Sequence, residues 1–320
     1  MKTSNDRFQI GGLAKAAEAT VGTIKINTIE EVSDHGRPAV RKTRHAHSAL
    51  VAAAANLYFR MTGIPIRFQS STADWQRWET ECFLMLNGDR FHAVAEGAGS
   101  VCVDRLPGEN LFEEMLDGRL TSAMLEAAAR EFRRAHSLWN DELGGYWSHG
   151  DATMSNVIYD AAEDRARLID FEIVHVPSLS ARARHADDLL VFLLDMIGHV
   201  ERGKWRPLAL AFLDAYDNPA VIRELRRHLV IPGGLARIWW KVRTNFADNK
   251  KVRRRLDALS RALENPRPHH FVAARLPARG GGLRSPARRS ARECRAQARA
   301  HARSAKGRAQ FRRGCRAGCR

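Results

Sequence analysis

Between His149 and Glu172 the chain reads HGDATMSNVIYDAAEDRARLIDFE, and Asp151, Asn156 and Asp170 within it have side chains that can act together. Asp151 precedes Asn156 by five residues. One loop can therefore aim a carboxylate at a hydroxyl while the amide oxygen reaches back toward a metal. Magnesium takes hard oxygen ligands, keeps several waters and needs few protein side chains, so one Asp and one Asn suit it. Magnesium to neutralise nucleotide phosphates, with a carboxylate beside an accepting hydroxyl, is what transfer of a phosphoryl group from ATP requires.

Two short strands have to position these groups. The apolar residues 157–159 and the stretch 166–169 read as strands, and the polar stretch 160–165 between them reads as a turn. Their pairing returns the chain beside its start and delivers Asp170 to Asn156. Taken singly, His149-Gly150-Asp151 and Asp170-Phe171-Glu172 are ordinary turn wording; their order and the strand–turn–strand between them carry the reading.

The arrangement resembles the protein-kinase-like superfamily, whose H-R-D loop is followed by Asn and then by a D-F-G triplet. Gly150 in place of the loop Arg, and Glu172 in place of the last Gly, are more similar to aminoglycoside and choline phosphotransferases and to lipopolysaccharide-core sugar kinases. The wording ATMSN also resembles small atypical protein kinases of tRNA-modification complexes, which keep D-F-G. The resemblance implies an α+β, two-lobed fold: a small antiparallel N-lobe sheet and a mainly helical C-lobe, with ATP and Mg2+ between them. It implies Asp151 as the catalytic carboxylate, Asn156 and Asp170 as metal ligands, and His149 and Asp188 as structural supports of the loop. Without the loop Arg, a phosphorylated activation loop has lost a usual partner, and no such switch is expected.

The same resemblance assigns the nucleotide side. Lys42, in Ala39-Val40-Arg41-Lys42, is similar to the V-A-I-K lysine that holds ATP phosphates. Lys25 and Arg67 are its rivals, and a basic residue on a solvated edge strand is the plainer alternative. Glu79 is its expected partner, because its spacing to Phe83 and Leu86 resembles the family's helix; Glu81 is the other choice. Backbone groups of Val103, Asp104 and Arg105, in VDRLPGENL, match the hinge that contacts adenine. A G-x-G-x-x-G loop is absent, and the turn around His35-Gly36 is the nearby substitute.

The remaining elements follow from pattern. Alternation over 23–32, turn formers at 33–38 and a strand at 39–44 make a hairpin. Helices are expected at 48–60, at 74–86 with Asp74 as N-cap, at 121–138, and at 186–198, where Asp187 and Asp188 open the helix and favour its dipole. Strands are expected at 66–69, 91–96 and 100–106, and further helices at 205–216, 219–229, 235–246 and 250–264. Trp239 and Trp240 read as core; Phe112, Trp139 and Trp147 are candidates for lining a substrate cleft. The expected divisions are 1–22, an N-lobe over 23–105, a C-lobe over 106–268 and a basic tail over 269–320.

The formal net charge of +16 is concentrated in that tail. Residues 275–320 hold 15 Lys plus Arg against one acid, Glu293, while the rest holds 37 against 35. The tail lacks the large apolar groups that offset ordering entropy and reads as disordered. It is either a contact for nucleic acid or an anionic membrane surface, or a non-native extension. The sequence contains no apolar run of the ~18 residues a membrane span needs, and the first residues lack a signal-peptide core. Five cysteines without CxxC or Cys/His spacing suggest reduced thiols and no zinc. The expected location is cytoplasmic, or peripheral to the inner face of a membrane. The expected partner is a hydroxyl-bearing small molecule or saccharide; a Ser/Thr protein acceptor, or a catalytically weak pseudokinase or scaffold, are the alternatives.

Overall fold

The computed structural model describes residues 26–244 and 247–264. The segment 1–22, Lys25, the end of the helix expected at 235–246, and the tail 269–320 with Cys294, Cys315 and Cys319 lie outside the described residues. Within them the expected α+β architecture is observed: an antiparallel sheet with helices, then a mainly helical part.

The first sheet holds β1 (Asn27–Asp34), β2 (Arg37–Arg44), β4 (Ala93–Glu96) and β5 (Ser100–Asp104), in the order β1-β2-β5-β4. Its hairpin turns on His35 (φ 48°) and Gly36 (φ 79°), the left-handed pair that a two-residue connection between twisted strands needs. Because β2 lies between β1 and β5, it is an inner strand, and the solvated-edge alternative for Lys42 is excluded: the residue is 7% exposed. Helix α1 (Ser48–Thr62) and β3 (Ile66–Phe68) follow, then α2 (Thr72–Asn87). Ser71 caps α2, its Oγ accepting the Asp74 N–H at 2.9 Å. Asp74 is thus a first-turn carboxylate and not the cap the sequence suggested. Trp75, Trp78, Cys82, Phe83 and Leu86 point inward from α2 at helical spacing.

The second part begins with β6 (Glu109–Asn110), α3 (Leu111–Leu116) and α4 (Ser122–Ala135), then the small hairpin β7 (Trp139–Asn140) and β8 (Gly145–Tyr146). After it comes a single 3-10 turn, Met154–Asn156, leading into β9 (Val157–Asp160), β10 (Arg165–Leu168) and β11 (Ile173–His175). Strands β9 and β10 pair antiparallel with Leu168 opposite Val157, which brings the end of one beside the start of the other. Strand β11 pairs with β3, Ile173 opposite Phe68, and ties the second part to the first.

The helices are α5 (Ala181–His199), α6 (Trp205–Tyr216), α7 (Pro219–His228), α8 (Ala236–Arg243) and α9 (Asn249–Glu264). Helix α5 starts five residues earlier than expected, capped by Ser180 Oγ on the Ala183 N–H. Its polar first turn hid that start. Asp187 and Asp188 consequently lie in its second turn, beyond the reach of the helix-terminal dipole, and work through their side chains instead.

One apolar core runs from Trp75, Val101 and Val103 through Phe132, Leu168 and Phe192 to Leu259. A smaller cluster joins Phe59, Ile66 and Ile173, with Trp239 edge-on to Phe59 at 4.9 Å. Trp240 belongs to the main core. Trp147 does too, being fully buried, whereas Trp139 is 61% exposed against Tyr146. Cys82 and Cys102 are buried and free. Among the described residues, no helix is long and apolar enough to cross a membrane.

Candidate active site

The inner position of β2 and the inward face of α2 bring Lys42 and Glu79 together, and the β9–β10 pair brings Asp170 to both. Lys42 Nζ donates to Glu79 Oε1 at 2.5 Å and to Asp170 Oδ1 at 2.7 Å. Glu79 Oε2 accepts the Phe171 N–H at 2.9 Å, so one carboxylate fixes both the lysine and the backbone after Asp170. Trp78 Nε1 donates to Phe171 O at 2.9 Å, clamping the same residue from the neighbouring helix position. Asp170 itself has φ 66°, a left-handed turn that Asp tolerates better than most residues. Burial alone would discharge Lys42, but the carboxylates of Asp170 and Glu79 outweigh it and hold the ammonium protonated. Burial likewise pushes Asp170 up, and Lys42 more than offsets this, holding its carboxyl below the usual range. Glu81, the alternative partner, faces solvent and pairs with Arg77. Arg67 is engaged by Gln69 and Glu142.

The loop that carries Asp151 is held at almost every backbone donor. Asp188, fully buried in α5, accepts the His149 N–H on Oδ2 and the Gly150 N–H on Oδ1, each at 2.8 Å. It also contacts His136 Nε2 at 3.0 Å. His149 Nε2 donates to Ile169 O at 2.9 Å while Nδ1 accepts the Asp151 N–H at 3.3 Å; the Nε2–H tautomer satisfies both. Gly150 has φ 87°, and a Cβ there would stand 2.5 Å from Ile173 O, so the loop backs directly onto β11. Asn156 Nδ2 donates to Asp151 O at 2.9 Å, and its Oδ1 has no partner among the described residues. Burial raises the Asp151 carboxyl, with Arg243 and His149 opposing and Asp170 and Asp188 adding to it. The Asp195 carboxyl, accepting the Met154 N–H at 2.9 Å, is pushed by burial to about 7.

Sequence reasoning missed Arg243 and Asp187 as a pair. Arg243, at the last position of α8, reaches Asp187 with two nitrogens and donates to Gly150 O at 3.2 Å. Asp187 also meets His175 Nε2 at 3.1 Å. A cation thus sits beside the Asp151 loop after all, delivered from 93 residues downstream. The signal in sequence was the doublet Asp187-Asp188, whose first carboxylate has little to do beyond the helix start unless a partner arrives. Glu172, given no role from sequence, has its carboxyl raised by burial, and next by Asp170, to about 8.

In the segment expected to be the hinge, the N–H groups of Asp104 and Arg105 donate to His92 O and Pro38 O, both at 2.9 Å, and the Asp104 carboxylate accepts the His92 N–H. These two donors are committed to the sheet. For magnesium, Asp170 Oδ2 and Asn156 Oδ1 are oxygens without partners among the described residues, one of them on an ionised carboxylate. That donor set fits a hard cation that keeps most of its waters.

No protein-family model and no curated protein sequence matches the chain. Among solved structures it is similar to ethanolamine kinase of Plasmodium vivax, at 9% identity over 80% of this chain and 89% of that one, TM-score 0.38. It is similar to APH(2")-IIa in complex with gentamicin, at 14% identity over 77% and 95%, TM-score 0.38. A third, Rv3197 of Mycobacterium tuberculosis in complex with erythromycin, shares 16% identity over 60% of this chain, TM-score 0.32, and the chain spans 52% of its length. At such identities and scores, chemistry has to be argued from the side chains.

Proposed function

We propose that the chain is an ATP- and magnesium-dependent phosphotransferase that moves the γ-phosphate to a hydroxyl of a small molecule, sugar or lipid saccharide. One observation carries the reading: Lys42, 7% exposed, is bonded at once to Glu79 and to Asp170, residues 37 and 128 positions away. A buried ammonium held between two carboxylates is costly unless a charge-rich ligand is handled there. Strand, helix and loop have been brought to one point for it.

In this reading Lys42 binds phosphate oxygens, and Asp170 Oδ2 with Asn156 Oδ1 would hold magnesium, which supplies neutralisation of phosphate charge. Asp151 orients the acceptor hydroxyl and takes its proton late, as befits chemistry dominated by positioning and electrostatics. Asp188 fixes the loop from behind through the His149 and Gly150 N–H groups. The acceptor class rests on loop wording: Gly150 where a protein-directed loop has Arg, and Glu172 where it has Gly. The test is ADP release from MgATP by the full chain against a panel of saccharides, amino alcohols and Ser/Thr peptides, beside Asp151→Asn. Turnover on a hydroxyl-bearing small molecule, lost by at least about 100-fold in the variant, is the expected result. Turnover confined to peptides would move the assignment to a protein kinase.

A further inference from the structure

Away from Lys42 and Asp170, a cleft of about 610 Å³ lies between the start of α6 and one face of α9. Its lining includes Arg202, Arg206, Lys251, Arg254 and Arg255, and no carboxylate. Elsewhere on the same helical part several arginines pair with acids, among them Arg130 with Asp164, Arg134 with Glu131 and Arg226 with Glu264; the five cations of the cleft have no such pair among the described residues.

Part of the cluster has a structural explanation. Lys251 Nζ donates to Gly198 O at 2.6 Å, and Arg255 Nη1 to Ile197 O at 2.8 Å and Val200 O at 2.7 Å. Both cap the C-terminal carbonyls of α5, where cations are favoured. The rest is not explained this way. Arg202 and Arg206 make no hydrogen bond or ion pair among the described residues, and Arg254 makes a single bond, to Lys250 O. Arg255 is 7% exposed, packs over the Trp205 ring at 5.4 Å, and leaves Nε and Nη2 without partners among the described residues. Burial lowers its affinity for the proton with no acid to offset it. Crowded like charges repel, and the Arg255 donors without partners among the described residues stay open to the cleft and its solvent. A ligand that supplies negative charge relieves that repulsion.

We propose that this cleft binds an anion bearing two or more phosphate groups. Guanidinium forks match phosphate oxygens bidentately, and several cations around one cavity call for more than one charge. The volume is that of a small-ligand pocket, and Trp205 and Ala258 give it an apolar wall. The ligand is either a soluble polyphosphorylated molecule or a phosphorylated lipid headgroup; both present the same chemistry. The site does not depend on the nucleotide reading above.

Hydrogen–deuterium exchange of the full chain, without magnesium, separates this cleft from the basic tail and from the Lys42 centre. The probes are inorganic pyrophosphate, and vesicles of phosphatidylinositol bisphosphate diluted in phosphatidylcholine. Amides of 198–210 and 249–260 should exchange about tenfold more slowly with pyrophosphate at ten times its Kd, and the slowing should vanish in Arg206→Ser/Arg254→Ser. Both substituted residues are exposed, so the variant should keep its fold. Slowing by vesicles alone, again lost in the variant, supports the same site on a lipid headgroup. Unchanged exchange with both probes, or slowing that persists in the variant, overturns the proposal.

Discussion

Arg243 holds Asp187 by both carboxylate oxygens, each bond 3.0 Å long, across 56 residues of chain. Burial would discharge Asp187, but Arg243 and then His175 hold it well below the usual carboxylate range. Breaking a buried pair by removing one partner strands the other charge, at about 3–5 kcal/mol. Arg243→Leu should therefore lower unfolding free energy in urea by about that amount. Arg243→Leu/Asp187→Asn should lose less than the two single variants together. Additive losses would show that the pair is not coupled.

Gly150 sits where only glycine is comfortable. With φ 87° and Ile173 O at 2.5 Å from any Cβ, Gly150→Ala has to move either the Asp151 loop or β11. The expected cost is about 1–3 kcal/mol from backbone strain alone, read as a lower Tm, with a larger loss of turnover than Tm alone accounts for. An unchanged Tm would mean that the loop is free to shift.

Much of this was legible in the sequence because it is local. Asp151, Asn156 and Asp170 lie within one stretch whose strand–turn–strand pattern fixes their meeting, and β2 and α2 each show a clear period. Arg243 was not legible, since its partner is set by how α8 packs against α5, and nothing in the basic wording KVR distinguishes it from its neighbours. The start of α5 was misplaced for a simpler reason: the apolar run after Ala186 outweighed the capping Ser180. Sequence also does not say which backbone groups of β5 are already paired.

Acid should act on the fold through His185 well before it reaches Asp188. His185 is 6% exposed, stacked on His136 at 4.0 Å, and burial lowers it to about 3. Its folded value lies below its unfolded one, so the unfolded state binds the extra proton between these values. The contribution is whole above pH ~6.5 and declines as pH falls toward 3. One such group costs about 2 kcal/mol between pH 7 and pH 5. Asp188, held at about 2 against its own burial by His175 and His136, contributes above pH ~3.9 and fails only below that. Glu172 and Asp195, whose carboxyls are raised by burial, titrate with the opposite sign in this range, so the comparison is with His185→Gln: from pH 7 to pH 5 the parent should lose about 2 kcal/mol relative to the variant in urea. Parallel profiles of the two proteins would contradict the burial argument.

Glu79 serves two masters, the Lys42 ammonium on one oxygen and the Phe171 N–H on the other. Glu79→Gln keeps the shape and removes the charge. A charge-assisted bond is worth about 1.5–3 kcal/mol, so turnover should drop about 10- to 100-fold while Tm falls by about 3–12 °C. Full turnover in this variant would show that Lys42 is positioned by Asp170 alone.

The account stands or falls on whether the Lys42–Asp170 centre holds a magnesium nucleotide. The direct measurement is thermal unfolding of the full chain with ATP, with and without magnesium, beside Asp170→Asn. At 100 times Kd the ligand adds about 2.7 kcal/mol, which for a domain of this size raises Tm by about 5–10 °C. That rise should require magnesium and be absent in Asp170→Asn. No rise in the parent at saturating MgATP, or an equal rise in both proteins, would contradict it.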